Sequence, residues 1–127
     1  MCDIALWSAT NNYANGLLVL RRFEEAKALL RKILPVARRV LGESDTLKLT
    51  MRWNYARALS EDPAATHGDL REAVAMLEEI ERTARRVLGG AHPLVLALEG
   101  SMRLSREALH ARESGAPPPP QCTKPSR

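Results

Sequence analysis

The hexapeptide ARRVLG occurs twice without change, at Ala37 to Gly42 and again at Ala84 to Gly89. Positions outside the hexapeptide match at the same offset of 47 residues, as Glu25 does with Glu72. Further matches at this offset are Ala26 with Ala73, Ala28 with Ala75, Leu30 with Leu77, Ile33 with Ile80, Leu47 with Leu94 and Leu49 with Leu96. Most matched positions are small or aliphatic and lie three or four residues apart, which is the spacing of a helix face. A repeat of this period indicates stacked helix pairs.

The composition favours an all-α fold. The 127 residues suffice for one domain, and a hydrophobic fraction of 45% is enough to form a core. Aromatic residues make up only 4% of the chain, so this core must be mainly aliphatic. Ala, Leu, Arg and Glu are abundant and favour helix, whereas β-branched residues are sparse. We therefore predict helices throughout and no sheet.

The charge pattern does not by itself indicate a partner. The formal net charge is +4, from 19 Lys and Arg residues against 15 Asp and Glu residues. Acidic and basic residues are interleaved along the predicted helices, as in the segment from Glu78 to Arg82. Such interleaving is typical of a solvated helix face.

The cysteines do not indicate a metal site or a disulfide framework. Cys2 and Cys122 lie near opposite ends of the chain, without a CxxC motif and without a histidine at ligand spacing. No stretch approaches the roughly 20 apolar residues that span a bilayer, and the first residues do not have the pattern of a secretion signal. The sequence thus predicts no metal, no cofactor, no membrane partner and a cytoplasmic location.

Helical periodicity divides the chain into five segments. The predicted helices cover about residues 3–20, 23–41, 46–61, 69–88 and 93–112. We group them into pairs over about 3–42 and 46–89, followed by a capping helix over about 93–112, which makes an α-solenoid of about two and a half repeats. The predicted repeat domain comprises residues 1–113. The Pro-rich segment 114–127 has almost no apolar side chains to bury and is predicted to be a disordered tail.

Glycine, proline and capping residues set the predicted boundaries. Gly42 and Gly89 end the second and fourth helices, because glycine readily adopts the conformation that follows a last helical turn. Asp69 and Glu72 have the spacing of a capping box at the start of that helix. Pro35 predicts a kink in the turn before it, or two shorter helices that meet there. Gly16 costs about 1 kcal/mol relative to alanine inside a helix, so we expect a neighbouring helix to approach it closely.

Three local motifs recur at the helix boundaries. An Asn two residues before an Ala lies in the first helix of each pair. An aromatic-x-E-A segment opens the second helix, and V-L-G precedes His92-Pro93. In the first pair these positions are Asn12, Ala14, Phe23, Glu25, Ala26, Leu30, Val40, Leu41 and Gly42, and in the second they are Asn54, Ala56, Glu72, Ala73, Leu77, Val87, Leu88, Gly89, His92 and Pro93. On these motifs, residues 8–98 resemble tetratricopeptide repeats of the kinesin light chain type. Arg21 departs from the pattern, because the family usually has a turn glycine there.

The resemblance implies a non-catalytic module for protein–protein interaction, an adaptor or scaffold. Its groove, lined by the first helix of each pair, would bind a peptide or a partner helix. The resemblance also implies that Asn12 and Asn54 point into the groove, where an amide can donate to and accept from an extended backbone. Asn15, Trp53 and Arg57 lie about one turn away and are the expected selectivity residues. Alternatively, Asn12 and Asn54 bond neighbouring helices, and Trp53 belongs to the core.

Other classes of function have weaker support in the sequence. We expect no enzyme and no catalytic residues, because the chain has no HExxH motif, no Gly-rich phosphate loop and no nucleophile with an evident His partner. Nucleic-acid binding through the doublets Arg38-Arg39 and Arg85-Arg86 is an alternative. Their position in last helical turns is explained by the helix dipole, so a nucleic-acid partner is not expected.

The number of repeats raises a question of assembly. Stacked repeats are usually stable only when at least three are present, and this chain has two pairs and a capping helix. We therefore expect either self-association through the first helix, near Leu6 and Trp7, or a chain that is a structural fragment of a longer array.

Overall fold

The computed structural model describes residues 4–40 and 46–114, which contain five α-helices. Their bounds are α1 Ile4–Val19, α2 Phe23–Val40, α3 Thr46–Glu61, α4 His67–Leu88 and α5 Pro93–Ser114. These residues contain no strand, which confirms the predicted all-α class. The helix end predicted at Gly42 and the disorder predicted for the Pro-rich segment after Ser114 lie outside the described residues.

The helices stack as consecutive antiparallel pairs. α1 contacts α2, α3 contacts α4, and each second helix also packs against the next first helix. The first helices contact one another, α1 with α3 and α3 with α5, whereas α2 and α4 make no contact within the described ranges. Because the first helices lie closer together, the array curves with α1, α3 and α5 on its inner side. α3 contacts all four other helices and is the centre of the molecule.

The sequence repeat corresponds to the buried face of the second helices. Three matched pairs are 0% exposed, namely Ala26 with Ala73, Leu30 with Leu77 and Ala37 with Ala84. The matched acidic residues Glu25 and Glu72 are exposed. The largest core cluster joins α3, α4 and α5 and consists of Leu49, Ala56, Leu59, Ala73, Leu77, Ile80, Ala84, Val95 and Leu98. Part of the repeat therefore encodes the packing surface of each second helix, whereas other matched positions, such as Ala28 and Ala75, are exposed.

The start of α4 differs from the prediction. The helix begins at His67, and Thr66 is its N-cap. The Thr66 hydroxyl accepts a hydrogen bond from the Asp69 backbone N–H at 3.0 Å, and the Asp69 carboxylate accepts one from the Thr66 backbone N–H at 3.0 Å. The predicted capping box of Asp69 with Glu72 is therefore wrong, because the same motif forms three residues earlier. This box satisfies two N–H groups that the first turn of a helix leaves free.

Pro35 lies inside one continuous helix. α2 runs without interruption from Phe23 to Val40, so the alternative of two shorter helices is wrong. Proline removes the hydrogen bond to the carbonyl of Arg31, four residues earlier. Pro35 and Arg31 are both exposed, and water can therefore bond the freed carbonyl. A kink at this turn stays a prediction.

Two glycines and one arginine show how the helix ends are made. A Cβ built at Gly16 meets no atom within 4 Å, so the predicted close approach of another helix is wrong. Gly89 has φ 93° and ψ 152° and follows the last turn of α4, which confirms the predicted helix end. Arg21, in the turn between α1 and α2, has φ 62°, a left-handed conformation that favours glycine. Its guanidinium lies 5.2 Å from the centre of the Phe23 ring.

Lys27 is a buried cation that links α2 to the end of α3. Its Nζ lies 2.9 Å from Glu24 Oε2 and 3.5 Å from Asp62 Oδ2. Burial alone lowers the pKa of Lys27, but the hydrogen bonds and negative charges of Glu24 and Asp62 outweigh this effect, so the pKa is raised above its ordinary value. The ammonium group is therefore paired and charged where it lies.

Candidate partner-binding surface

The predicted site residues lie on α1 and α3, the two first helices that contact each other. Asn12 and Asn15 are exposed on α1, whereas Trp53 and Arg57 are half-buried on α3. Asn54 is buried, with an exposed fraction of 3%. The structure therefore brings Asn15, Trp53 and Arg57 together at the surface and places Asn54 below it.

Arg57 joins the two first helices. Its Nη1 donates a hydrogen bond to Asn15 Oδ1 on α1 at 3.1 Å, and its Nε donates to Glu61 Oε2 one turn further along α3 at 3.1 Å. Glu61 also balances part of the positive charge of Arg57, because the two side chains lie within salt-bridge distance. The guanidinium is held in place while remaining partly open to solvent.

Trp53 lies beside Arg57 and reaches into the core. The guanidinium carbon of Arg57 is 6.0 Å from the centre of the indole ring, which allows a cation–π contact. The ring packs against the cluster that includes Leu49 and Leu98. Its Nε1 is enclosed by protein and has no hydrogen-bond partner among the described residues. A buried N–H without a partner is uncommon, because its desolvation is costly.

Sequence reasoning missed Asn11, which is the partner of Asn54. Asn54 Nδ2 donates to Asn11 Oδ1 at 2.8 Å, and both side chains are buried. The buried face of α1 continues from Asn11 through Ala14 to Leu18, at spacings of three and four residues. Asn12 falls beside this face. In the sequence, this spacing places Asn11 on the same face as Ala14 and Leu18 and is the signal that distinguishes it from Asn12.

Other polar side chains of α3 are engaged with the second helices. Arg31 Nε on α2 donates to the Tyr55 hydroxyl at 3.1 Å. Arg52 is buried, and its Nη2 lies 3.2 Å from Glu79 Oε1 on α4. These contacts hold α3 against its neighbours and leave Arg57 as part of the inner surface.

The arginine doublets lie in the last turns of α2 and α4, as predicted. Arg85 forms ion pairs with Glu81 and Glu99, so its charge is balanced within the protein. Arg38 and Arg39 are exposed. The two doublets therefore do not present equivalent free charges, which disfavours a repeated phosphate-binding surface.

The described residues contain neither a metal-binding cluster nor a membrane span. Within residues 4–40 and 46–114, no group of three or more His, Cys, Asp and Glu side chains is placed to hold a metal ion. None of the five helices is long and apolar enough to cross a membrane. His92 acts at a helix start, where its Nδ1 accepts a hydrogen bond from the Leu94 backbone N–H at 3.1 Å.

Comparison with known families bears on the first helix pair. Residues 8–46 match the family described as tetratricopeptide repeat. This match supports a tetratricopeptide repeat protein. The matched stretch includes most of α1 and all of α2, and α3 with α4 repeats the same arrangement. Tetratricopeptide repeats generally mediate protein–protein interactions and are typically non-catalytic. No curated protein and no solved structure matches the chain significantly.

Proposed function

We propose that this protein is a non-catalytic interaction module that binds an extended segment of a partner protein on the inner surface formed by α1 and α3. The observation that carries the proposal is the position of Arg57. Its guanidinium bridges the two first helices at the surface, beside an exposed asparagine and a large aromatic ring.

Arg57 has the capacity to bind a ligand. A guanidinium has five N–H donors, and two of those on Arg57 are used in hydrogen bonds within the described residues. The remaining donors suit a carboxylate or backbone carbonyls. A partner segment with an acidic residue is therefore favoured, since a charge-assisted hydrogen bond is stronger than a neutral one.

Asn12 and Trp53 complete the proposed surface. Asn12 is exposed and can donate to and accept from an extended backbone. The unpartnered Nε1 of Trp53 would gain a hydrogen bond if the ring turned toward a ligand carbonyl. In this proposal Asn54 does not touch the ligand, because its amide is used by Asn11; it positions α1 against α3.

The finer assignment to the kinesin light chain type is part of this proposal. Its support is the run V-L-G-x-x-H-P at the α4–α5 junction. Gly89 adopts a conformation that few residues other than glycine adopt, and His92 accepts a hydrogen bond at the start of α5. The structure therefore explains why glycine and histidine stand at these two positions of the motif.

The proposal is tested by selecting ligands with the full 127-residue chain. A phage-displayed library of random peptides is the probe, and the dissociation constant of a selected synthetic peptide is measured by fluorescence anisotropy. We expect Asn12→Ala and Arg57→Gln each to weaken binding about tenfold or more, because each removes polar contacts at a partly desolvated surface. Selected peptides should share an acidic residue.

Arg86→Gln is the matched control. Arg86 is an exposed arginine on α4, away from the α1–α3 surface, and its substitution removes the same charge. It should leave the dissociation constant within about twofold. Equal losses of peptide affinity in the Arg57 and Arg86 variants would show that charge acts non-specifically. Unchanged binding by both inner-surface variants would refute the proposed site.

A further inference from the structure

The second half of α2 carries a basic patch on the outer side of the array. Four exposed residues form this α2 patch, namely Arg31, Lys32, Arg38 and Arg39. The chain has no acidic residue from Ala26 to Gly42, so this part of the helix contains nothing that balances their charges. None of the four residues forms an ion pair within the described ranges.

The acidic residues at the start of α2 are paired with other cations. Glu24 Oε2 lies 2.9 Å from Lys27 Nζ, and Glu25 Oε2 lies 2.7 Å from Arg22 Nη2. Neither carboxylate therefore neutralises a residue of the α2 patch through an ion pair, and the patch keeps its positive charge for a ligand.

Comparison of the two second helices shows that the fold does not require these cations. At the offset of 47 residues, Arg31 and Lys32 of α2 correspond to Glu78 and Glu79 of α4. The two helices bury matched apolar positions, yet their charges at this turn are opposite. The basic character of α2 therefore has a cause other than packing, and a ligand of opposite charge supplies one.

The spacing of the α2 patch matches a helix that lies alongside α2. Lys32 and Arg39 are seven residues apart, about 10.5 Å along the helix axis, and Arg31 and Arg38 have the same separation. Seven residues are close to two helical turns, so the members of each pair share one side of α2. Pro35 is exposed between the two ends of the patch and has no long side chain to block an approaching helix. A helix packed along α2 repeats its own side chains at the same interval.

We propose that the α2 patch binds an acidic helix of a partner protein, whose carboxylates lie seven residues apart and face the two ends of the patch. Guanidinium groups bind carboxylates through paired, charge-assisted hydrogen bonds, which are stronger than neutral ones. This surface lies on the outer side of the array, whereas the α1–α3 surface lies on the inner side. The α2 patch therefore does not depend on a ligand at the inner surface, and the chain has room for two partner segments at once.

A protein ligand suits the α2 patch better than a nucleic acid does. Proteins that bind single strands place exposed aromatic rings beside their cations, and the bases stack on these rings. The aromatic residue of α2, Phe23, is buried, and the Tyr55 hydroxyl beside the patch already accepts a hydrogen bond from Arg31 Nε at 3.1 Å. Val40 is 44% exposed next to Arg39, which suits the apolar side chains of an amphipathic helix. Tetratricopeptide repeats also generally mediate protein–protein interactions.

The burial of the apolar face of α2 disfavours a membrane surface as the ligand. A basic helix that lies in a membrane interface inserts the apolar side chains of its opposite face into the lipid. On α2 this face includes Leu30 and Ala37, which are 0% exposed inside the array. Attraction of the patch to lipid would therefore rest on charge alone.

Fluorescence anisotropy of the full 127-residue chain with a designed peptide tests the proposal. The probe is a labelled, end-blocked helical peptide of alanine and glutamine with Glu-Glu pairs seven residues apart, in about 0.15 M salt, where distant charges are screened. We expect the double variant Arg38→Gln, Arg39→Gln to raise the dissociation constant at least about fivefold. The matched control, Arg82→Gln, Arg86→Gln, removes two exposed arginines from α4 and should change the constant by less than about twofold. No binding at about 1 mM peptide, or equal losses in both double variants, would overturn the proposal.

Two further probes test the helix geometry and the class of ligand. A peptide of the same composition with Glu-Glu pairs five residues apart places them on different sides of its helix, so we expect it to bind at least about threefold more weakly. Equal affinity for both peptides would contradict the arrangement of a helix along α2. A labelled single-stranded RNA and a DNA duplex, each about 20 nucleotides long, are measured in parallel. Tighter binding of either, lost in the α2 double variant, would assign the patch to nucleic acid instead. Circular dichroism checks that both double variants keep their helix content.

Discussion

At the scale of single residues, the bond between Asn11 and Asn54 connects the two helix pairs by a polar contact. It spans 2.8 Å inside the α1–α3 interface, where the side chains are 7% and 3% exposed. A buried amide without a partner loses its hydration without compensation. Removal of either side chain should therefore harm folding more than removal of the adjacent Asn12, which is exposed.

This difference predicts the results of a double-mutant cycle. We expect Asn54→Ala and Asn11→Ala each to lower the free energy of unfolding by about 1–3 kcal/mol, because each leaves a buried polar group unpaired. The double variant should lose less than the sum of the two. Urea denaturation followed by circular dichroism measures all three, with Asn12→Ala as the control, expected to change stability by no more than about 0.5 kcal/mol. Additive losses would show that the bond is not a coupled pair.

At the scale of helices, glycine has opposite effects at two positions. Gly16 lies inside α1 with open space where a Cβ would be, so it only lowers the helix-forming tendency there. Gly89 follows α4 with φ 93°, and its backbone N–H donates to the Arg85 carbonyl at 3.0 Å. A side chain at Gly89 meets no neighbour, but the backbone conformation itself is strained for other residues.

The same substitution should therefore change stability in opposite directions. Gly16→Ala is expected to raise the free energy of unfolding by about 0.5–1 kcal/mol, because alanine restricts the unfolded chain and fits the helix. Gly89→Ala is expected to lower it by about 1–3 kcal/mol, because alanine rarely adopts that conformation. Thermal and urea unfolding of the two variants measure these effects. A loss of stability in Gly16→Ala would mean that α1 is packed at that position after all.

At the scale of the whole molecule, α3 couples the two ends of the array. It contacts every other helix, and its side chains enter separate clusters. Met51 packs with Ala37 and Trp7 at one end, whereas Leu59 and Trp53 belong with the α4–α5 cluster at the other. Trp7 is therefore packed within the protein, which does not favour its predicted role in self-association through α1.

Because α3 couples the two ends, we expect the array to unfold in a single transition that probes at either end report equally. The variants Trp7→Phe and Trp53→Phe each keep one tryptophan, which reports on a different cluster by fluorescence. We expect their urea transitions to coincide with the circular dichroism transition of the same variant. Adding Leu59→Ala should shift both reporters, with a loss of about 2–5 kcal/mol from the cavity that it creates. Earlier loss of the Trp7 signal alone would show that the α1–α2 pair unfolds independently.

The helices and their order could be predicted from the sequence because they depend on neighbours along the chain. The bounds of α3 agree with the prediction, since a polar loop flanks it at Glu61. The start of α4 could not be settled from the sequence, because Thr66 and Asp69 both have capping side chains. In the structure Thr66 is the N-cap, with an extended backbone at φ −83° and ψ 168°. Asn11 was not distinguished from Asn12, although its spacing to Ala14 and Leu18 places it on the face of α1 that is buried.

The sequence by itself determined that this protein is a stack of helix pairs, because the period of ARRVLG and the spacing of buried Ala and Leu residues act locally. The tertiary structure alone decided which polar side chains remain at the surface. Arg57 and Asn15 meet across α1 and α3, while Asn54 turns inward to Asn11. Residues that are distant along the chain acquire these roles only through the angle and depth at which two helices pack, and helical periodicity does not specify either quantity.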